Sequence, residues 1–329
     1  MDAIGNHVAR YARSREEEMS LDEYLAECKR NPMAYASVAD VRAGVIKEEL
    51  GTLVMVRSRG EVEIDGVDYQ RTNQGYVPSG DLRLLSPSPW VGVDLRVTPP
   101  PAWPFAFVYT GHAGTTLRLR AGPDRTAVAA GTRPSRSLVA FGAEQGGYVE
   151  VAAGAWAWRE DLRRVATTAP PVGVGAGEPW IDVDLDEQVL VAYHGTTPEF
   201  TTLVSSGWKA GTTPIGTYRV RSMAATTRMI AEPDERAQYD VGEVPWAIRF
   251  RKGLFLHAAY WHDDFGDKHS HGCVNLAPKD ARFLYEWAGL VPDGWSELEL
   301  ERGRGIVVRI RDAAHPEPPV YGYPDESTP

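Results

Sequence analysis

A histidine, His257, stands sixteen residues ahead of a cysteine, Cys273, and the cysteine lies in the run Ser270-His271-Gly272-Cys273-Val274-Asn275. These residue types can do thiol chemistry. A free thiol has a pKa of about 8.5, so little of it is thiolate near neutrality unless an imidazole or a set of main-chain N–H groups assists. His257 is the candidate base. Gly272 lets the backbone turn sharply, so the amides of Gly272 and Cys273, with His271, are expected to face a carbonyl oxygen that gains negative charge. Ser270 and Asn275 are expected to hold this loop by hydrogen bonds. The same stretch offers five zinc ligands within seventeen residues, His257, His262, His269, His271 and Cys273, and imidazole with thiolate suits that ion. Their spacing matches neither a helical H-x-x-x-H nor a finger pattern, which favours the thiol reading with no metal or other cofactor.

The elements that would position these residues are mostly strands. Residues 244–250 and 253–257 carry strand patterning, which leaves His257 at a strand end facing a groove. Trp180–Leu185 and Gln188–Tyr193 alternate as a hairpin around Asp186-Glu187. Residues 200–207 and 213–220 read as two further strands. Residues 221–244 show neither helical nor strand period. Past the cysteine, Pro278 fits a first helical position, and Ala281, Leu284, Tyr285 and Ala288 space as one buried helix face. Residues 305–310 give a closing strand.

The cysteine box closely resembles the signature of the L,D-transpeptidases with a YkuD-type catalytic domain. That signature is a histidine, a dozen or so residues, then Ser/Thr-His-Gly-Cys-apolar-Asn/Arg, and here twelve residues separate His257 from Ser270. The likeness covers residues of about 179–311, including the strand ending in Ser205-Ser206-Gly207 and the run Thr213-Pro-Ile-Gly-Thr-Tyr218. It implies a mainly β fold, a β-sandwich catalytic domain with a short helix after the box. It also implies acyl transfer through a thioester on peptidoglycan stem peptides, forming cross-links or exchanging the terminal D-amino acid, with L,D-carboxypeptidase cleavage when water accepts. In the family the histidine is oriented by a main-chain carbonyl, a part that falls here to Ala258. Residues 221–244 would be the flap over the groove, with Met229 and Tyr239 contacting substrate, and Tyr260 and Trp261 would line the groove. A part in cell-wall organisation and cell shape, acylation by carbapenems, and a place in the cell envelope or periplasm follow from the same likeness. The alternatives are the zinc site above and a non-catalytic wall-binding module.

The rest of the chain bounds this reading. With 329 residues, 43% of them apolar, and ten tryptophans, the chain can build two or three domains. The net charge of −10 speaks against nucleic-acid partners. No apolar run reaches membrane-spanning length, so no membrane span is expected. The first thirty residues include Glu16-Glu17-Glu18 and no apolar core of a leader, so no secretory signal is expected either. Cys28 and Cys273 are expected to stay unpaired.

Residues 1–48 read as a polar helical segment, with a capping box at Ser20–Glu23. Residues 14–41 resemble the N-terminal edge of PrkA-type serine protein kinases; no phosphate-binding Gly-x-x-x-x-Gly-Lys-Ser/Thr follows, so no kinase activity is implied, and one hypothesis is that the segment is a fused or mis-assigned start that displaced an export signal. Residues 49–92 and 93–168 read as two SH3-like β modules, since Gly75–Arg83 and Gly154–Arg163 each place an aromatic shortly before Asp-Leu-Arg. Trp156 and Trp158 would share one buried face. Residues 169–178 read as a linker, 179–312 as the catalytic domain and 313–329 as a disordered tail.

Overall fold

Residues alternate along Pro179–Asp184 so that both faces of this strand can be buried. Ile181 and Val183 turn to one side, Trp180 and Asp182 to the other. In the computed structural model it is an inner strand of a seven-stranded sheet. The order is Val320–Gly322, Gly216–Arg219, Val307–Arg311, Pro179–Asp184, Val189–His194, Thr197–Leu203 and Val93–Asp94. The structure describes residues 32–50, 54–56, 58–82, 85, 87–111, 114–230, 240–291 and 297–322. They group into two compact units, the described residues within 1–85 and 227–244, and those within 86–226 and 245–329.

In the second unit a further sheet carries Val274–Leu276, Leu254–Ala258, Asp240–Arg251, Ser222–Ile230 and Glu297–Glu299 in that order, the outer parts of its two long strands grouping with the first unit. Ile181, Leu190, Tyr218, Ile248, Phe250, Leu256 and Val274 meet in one core cluster. Helix Pro278–Trp287 closes it with Ala281 and Leu284, both fully buried, and with Tyr285. Pro278 opens this helix because the first-turn N–H it lacks has no helical partner anyway. The fold is mainly β, as the alternation predicts, and the hairpin, the helix and the closing strand all form.

Residues 105–165 build a three-stranded sheet, Leu138–Ala140, Phe105–Val108 and Leu162–Val165, beside a five-stranded one containing Thr116–Arg120, Tyr148–Ala152 and Ala155–Trp158. Phe105 and Phe107 point away from this module and pack with Trp180, Val191 and Tyr193, while Ala106 and Val108 face its interior. It therefore shares a core with the seven-stranded sheet instead of standing apart on a linker. Residues 169–178 are pinned as well: Arg309 Nη1 donates to Ala169 O at 3.2 Å and Arg219 Nη2 to Gly173 O at 2.6 Å. Val93–Asp94, which the sequence assigns to the module, is an edge strand paired with Thr201 and Phe200.

Three further expectations change. Ala155 and Ala157 are the buried side of their strand, in one core cluster with Leu119 and Val149 of the strands on either side of it, and Trp158 is 43% exposed. The tail supplies a strand, Val320–Gly322, and Tyr321 stacks on Tyr218 at 5.4 Å. In the first unit, residues 32–48 are helical only over Val38–Ala43, between strands Met33–Ala34 and Glu48–Glu49. Ser37 Oγ caps that helix by accepting the Asp40 N–H, and Gly44, at φ 66°, ends it in the left-handed region. That unit also holds a three-stranded sheet, Ser58–Ile64, Val67–Thr72 and Gly75–Pro78, and a small core of Ala34, Leu50 and Val77. Residues 1–31, with the capping box, most of the kinase-like stretch and Cys28, lie outside the described residues. Among the described residues no helix is long and apolar enough to cross a membrane.

Candidate active site

Two neighbouring parallel strands carry the motif. Leu254–Ala258 pairs with Val274–Leu276 in the register Leu256 to Val274, His257 to Asn275 and Ala258 to Leu276. Leu256, Ala258, Val274 and Leu276 all enter the sandwich core. The pleat therefore turns His257 and Asn275 to the other side, and the same alternation carried one residue further brings Cys273 there. Its Sγ donates to Gly253 O at 3.8 Å.

His257 is buried, and its Nδ1 lies 3.0 Å from Ala258 O. A carbonyl oxygen only accepts, so Nδ1 carries the proton and the neutral ring presents a lone pair at Nε2. Burial pushes the imidazole down to about 4, against the smaller raising effect of the Ala258 carbonyl, so the ring is an unprotonated base at neutral pH. Trp261 packs 5.7 Å from the His257 ring, and Tyr260 meets Trp261 edge-on at 5.0 Å. Met229 is buried on strand Ser222–Ile230, in the part that groups with the first unit. Tyr239 and its neighbours 231–238 lie outside the described residues. The flanks of the expected lid are regular strands.

The turn before the nucleophile is held on every side. Ser270 Oγ donates to Cys273 O at 2.5 Å and accepts the Gly272 N–H at 3.0 Å. This alters the expected oxyanion site, because the Gly272 amide is directed at its own loop. Gly272 has φ 152°, and a Cβ there would lie 2.7 Å from Thr212 O, so only glycine fits without shifting backbone. Thr213 Oγ1 donates to Gly272 O and accepts the Gly207 N–H, each at 2.8 Å. Ser206 O accepts from the amides of both His269 and Ser270 at 2.9 Å, and Ser205 exchanges main-chain bonds of 3.0 and 2.8 Å with Asn275. His271 is exposed. At about 1 kcal/mol net per hydrogen bond this is a stiff turn.

Sequence reasoning missed the residues that brace the preceding loop. Arg136 donates from Nη1 to Asp263 Oδ1 at 2.8 Å and from Nη2 to Asp263 O at 2.5 Å, and Ser88 Oγ donates to the same carboxylate. Arg163 Nε donates to Gly266 O at 2.6 Å while its guanidinium lies 4.0 Å over the Tyr109 ring. A Cβ on Gly266 would meet that ring at 2.6 Å. No local pattern announces such partners; only the Arg163 of the repeated Asp-Leu-Arg was visible.

Of the five ligands offered by the sequence, His262 and His269 come together, joined by Asp264, with one ligand atom from each within 4.8 Å of the others. Asp264 Oδ2 is 3.3 Å from His269 Nδ1 and 3.9 Å from His262 Nδ1. Burial, with smaller contributions from His269 and His257, pushes His262 down to about 3.

Residues 178–308 match the YkuD family, the L,D-transpeptidase catalytic domain. The chain is 31% identical over 121 residues to a Bacillus subtilis (strain 168) protein named "Putative L,D-transpeptidase YciB", covering 32% of this chain and 59% of that protein's length. Among solved structures, the catalytic domain of the Enterococcus faecium L,D-transpeptidase aligns at 23% identity over 41% of this chain and 98% of its own, with a TM-score of 0.32. An L,D-transpeptidase from Mycobacterium tuberculosis aligns at 16% identity over 56% of this chain and 70% of its own, also with a TM-score of 0.32. The motif met first in the sequence, the strands that carry it and the family match all fall on one segment, and residues 178–308 are a YkuD L,D-transpeptidase catalytic domain.

Proposed function

We propose that this protein is a cysteine-dependent L,D-transpeptidase that works on peptidoglycan stem peptides through a thioester. The observation that carries this is the Nδ1–Ala258 O bond of 3.0 Å, which leaves a neutral His257 with its Nε2 lone pair on the side of the sheet where Cys273 follows.

The Cys273 thiol passes its proton to His257 Nε2 and its sulfur attacks the carbonyl on the L-configured side of the bond between a third-position diamino acid and a terminal D-Ala. The carbonyl oxygen gains a negative charge, met by main-chain N–H groups of the 271–273 turn, with Gly272 serving through the shape of that turn. The C–N bond then breaks, the proton moves from His257 to the departing amine, and D-Ala leaves. An amine of a second stem, a free D-amino acid or water attacks the thioester and releases Cys273. Ser270 and Asn275 hold the turn, and Tyr260 and Trp261 line the groove at His257. This activity belongs to wall cross-linking and so to the cell envelope, where the β modules would hold the domain against its polymer.

Intact-mass measurement after incubation with a defined tetrapeptide stem, and separately with a carbapenem, tests the reading. The expected results are D-Ala release and a single covalent adduct, both lost in Cys273→Ala. An unmodified mass with both reagents, or turnover that persists in Cys273→Ala, would overturn it.

A further inference from the structure

We propose that His262, Asp264 and His269 form a binding site for one divalent transition-metal ion of the zinc class, separate from the catalytic pair. A tetrahedral ion sits about 2.0–2.2 Å from nitrogen and carboxylate ligands, which holds the ligand atoms roughly 3–4 Å from one another. Asp264 Oδ2 already stands 3.3 Å from His269 Nδ1 and 3.9 Å from His262 Nδ1, and the two imidazole centroids are 4.3 Å apart. Two imidazoles and one carboxylate favour zinc, nickel or cobalt over magnesium or calcium, and leave a fourth position for water.

The surroundings of His262 select the lone pair such a site needs. Its Nδ1 accepts the Asp264 N–H at 3.1 Å, so Nε2 carries the ring proton. Facing Nε2 at 2.9 Å is the side-chain amide of Asn275, with its NH2 toward the ring while its buried Oδ1 has no hydrogen-bond partner among the described residues. Two donors cannot bond to each other. Turning the amide by half a rotation sets Oδ1 against Nε2–H, which fixes the tautomer with Nδ1 toward Asp264 and His269. A histidine that donates its far N–H to a fixed acceptor is the arrangement metal-bound imidazoles use. The ion would take the Nδ1 lone pair over from the Asp264 N–H, the one bond that binding breaks.

The loop is also preformed. Ser205 Oγ donates to Asp264 O at 2.7 Å, and Arg136 holds the neighbouring Asp263. His269 and Asp264 are 44% and 37% exposed, which gives an ion a way in. His269 directly precedes Ser270, so the ion would tie the 262–269 loop to the turn that carries Cys273.

The test uses the full chain, stripped with a chelator and titrated with Zn2+ alone in a calorimeter, then with Co2+ in a spectrophotometer. Saturable binding near one ion per chain is expected, with Co2+ bands free of thiolate charge transfer. His269→Ala and Asp264→Asn should each weaken binding at least about tenfold, the usual scale for losing a group from a metal site. Cys273→Ala should bind as the parent does. His269 is exposed, so its removal leaves the fold intact, and a circular dichroism spectrum checks this. The proposal is overturned by an absence of saturable binding to either ion, by binding that survives His269→Ala unchanged, or by binding that disappears with Cys273→Ala. Acylation of Cys273 by a carbapenem is read separately, so either proposal can fail alone.

Discussion

His257, at the end of a core strand, and His262, five residues on in the loop, are both buried neutral imidazoles, yet their protons sit on opposite nitrogens. In the first region Nδ1 meets a carbonyl, Ala258 O, and in the second it meets an amide, the Asp264 N–H. The first ring is thereby left with an Nε2 base, the second with an Nδ1 lone pair and an Nε2 donor. Burial pushes both down, to about 4 and about 3. The contrast teaches that a low pKa alone does not assign a histidine its chemistry; the main-chain group at Nδ1 does.

The strongest way to break this comparison is to remove the first ring. His257→Ala should slow acylation of Cys273 by roughly 10²–10⁴, the range for a positioned acid–base group. Stopped-flow loss of carbapenem absorbance measures it. His257→Gln should be equally slow, since an amide can hold the Ala258 bond without acting as a base. A rate within a few-fold of the parent in both variants would strip His257 of its role.

Acid gives the next largest effect. The native state holds His257 unprotonated down to about 4, whereas an unfolded histidine takes up its proton near 6.5. Between those values the unfolded chain binds more protons. The stability this group contributes is therefore present above about 6.5 and is lost as pH falls toward 4, by up to about 3 kcal/mol. Acylation should fade over the same limb, with an apparent pKa well below 6.5. A limb centred at or above 6.5 in a pH–rate profile would mean that the imidazole is not desolvated as described.

Much of the first region was legible in the sequence and little of the second. The spacing from His257 to Ser270 and the apolar run into the strand need only local pattern, whereas the pairing of Leu254–Ala258 with Val274–Leu276 came only with the structure. The loop depends on distant partners: Arg136 lies 127 positions before Asp263, and Arg163 lies 103 before Gly266. Asp264 was in plain view two residues after His262, but its approach to His269 arises only when the loop closes on Ser205 and Val204. The module boundary failed for a similar reason, since Phe105 and Phe107 read equally well as a private core or as a surface for Trp180 and Tyr193. The likeness of Gly75–Arg83 to Gly154–Arg163 did have local content. Each is a strand followed by a 3-10 turn, Ser79–Asp81 or Arg159–Asp161, closed by a leucine N–H that donates to the first residue of the turn.

A smaller change sharpens the contrast by loosening only the second region. Arg163→Ala removes the bond to Gly266 O and the packing over Tyr109, so about 2 kcal/mol of stability should be lost in urea unfolding. The His257–Ala258 bond belongs to the strand and should be untouched. Hydrogen exchange is expected to rise at Gly266 and His269, whose amides donate to Val204 O and Ser206 O, and to stay slow at Ala259, whose amide donates to Leu276 O. Equal loosening at all three would show the two regions to be one cooperative unit.

The smallest expected effect comes from a buried acid whose titration runs against that of His257. Asp280, in the first turn of helix Pro278–Trp287, accepts the Thr202 hydroxyl at 2.5 Å and the Gly92 N–H at 2.8 Å, yet burial pushes it up to about 6. Here the native state holds a proton that the unfolded chain has released near 3.8. The contribution of this group is thus complete below about 4 and is lost as pH rises through 6. Asp280→Asn should remove that limb while leaving one oxygen to accept a bond, so at pH 7 the variant is expected within about 1 kcal/mol of the parent. Thermal melts of both proteins from pH 4 to 7 give the difference directly. It should shift in favour of the variant as pH rises, opposite in sign to the His257 limb; a difference that is flat with pH would mean that Asp280 stays ionised in the fold, held by the helix N-terminus and its two donors.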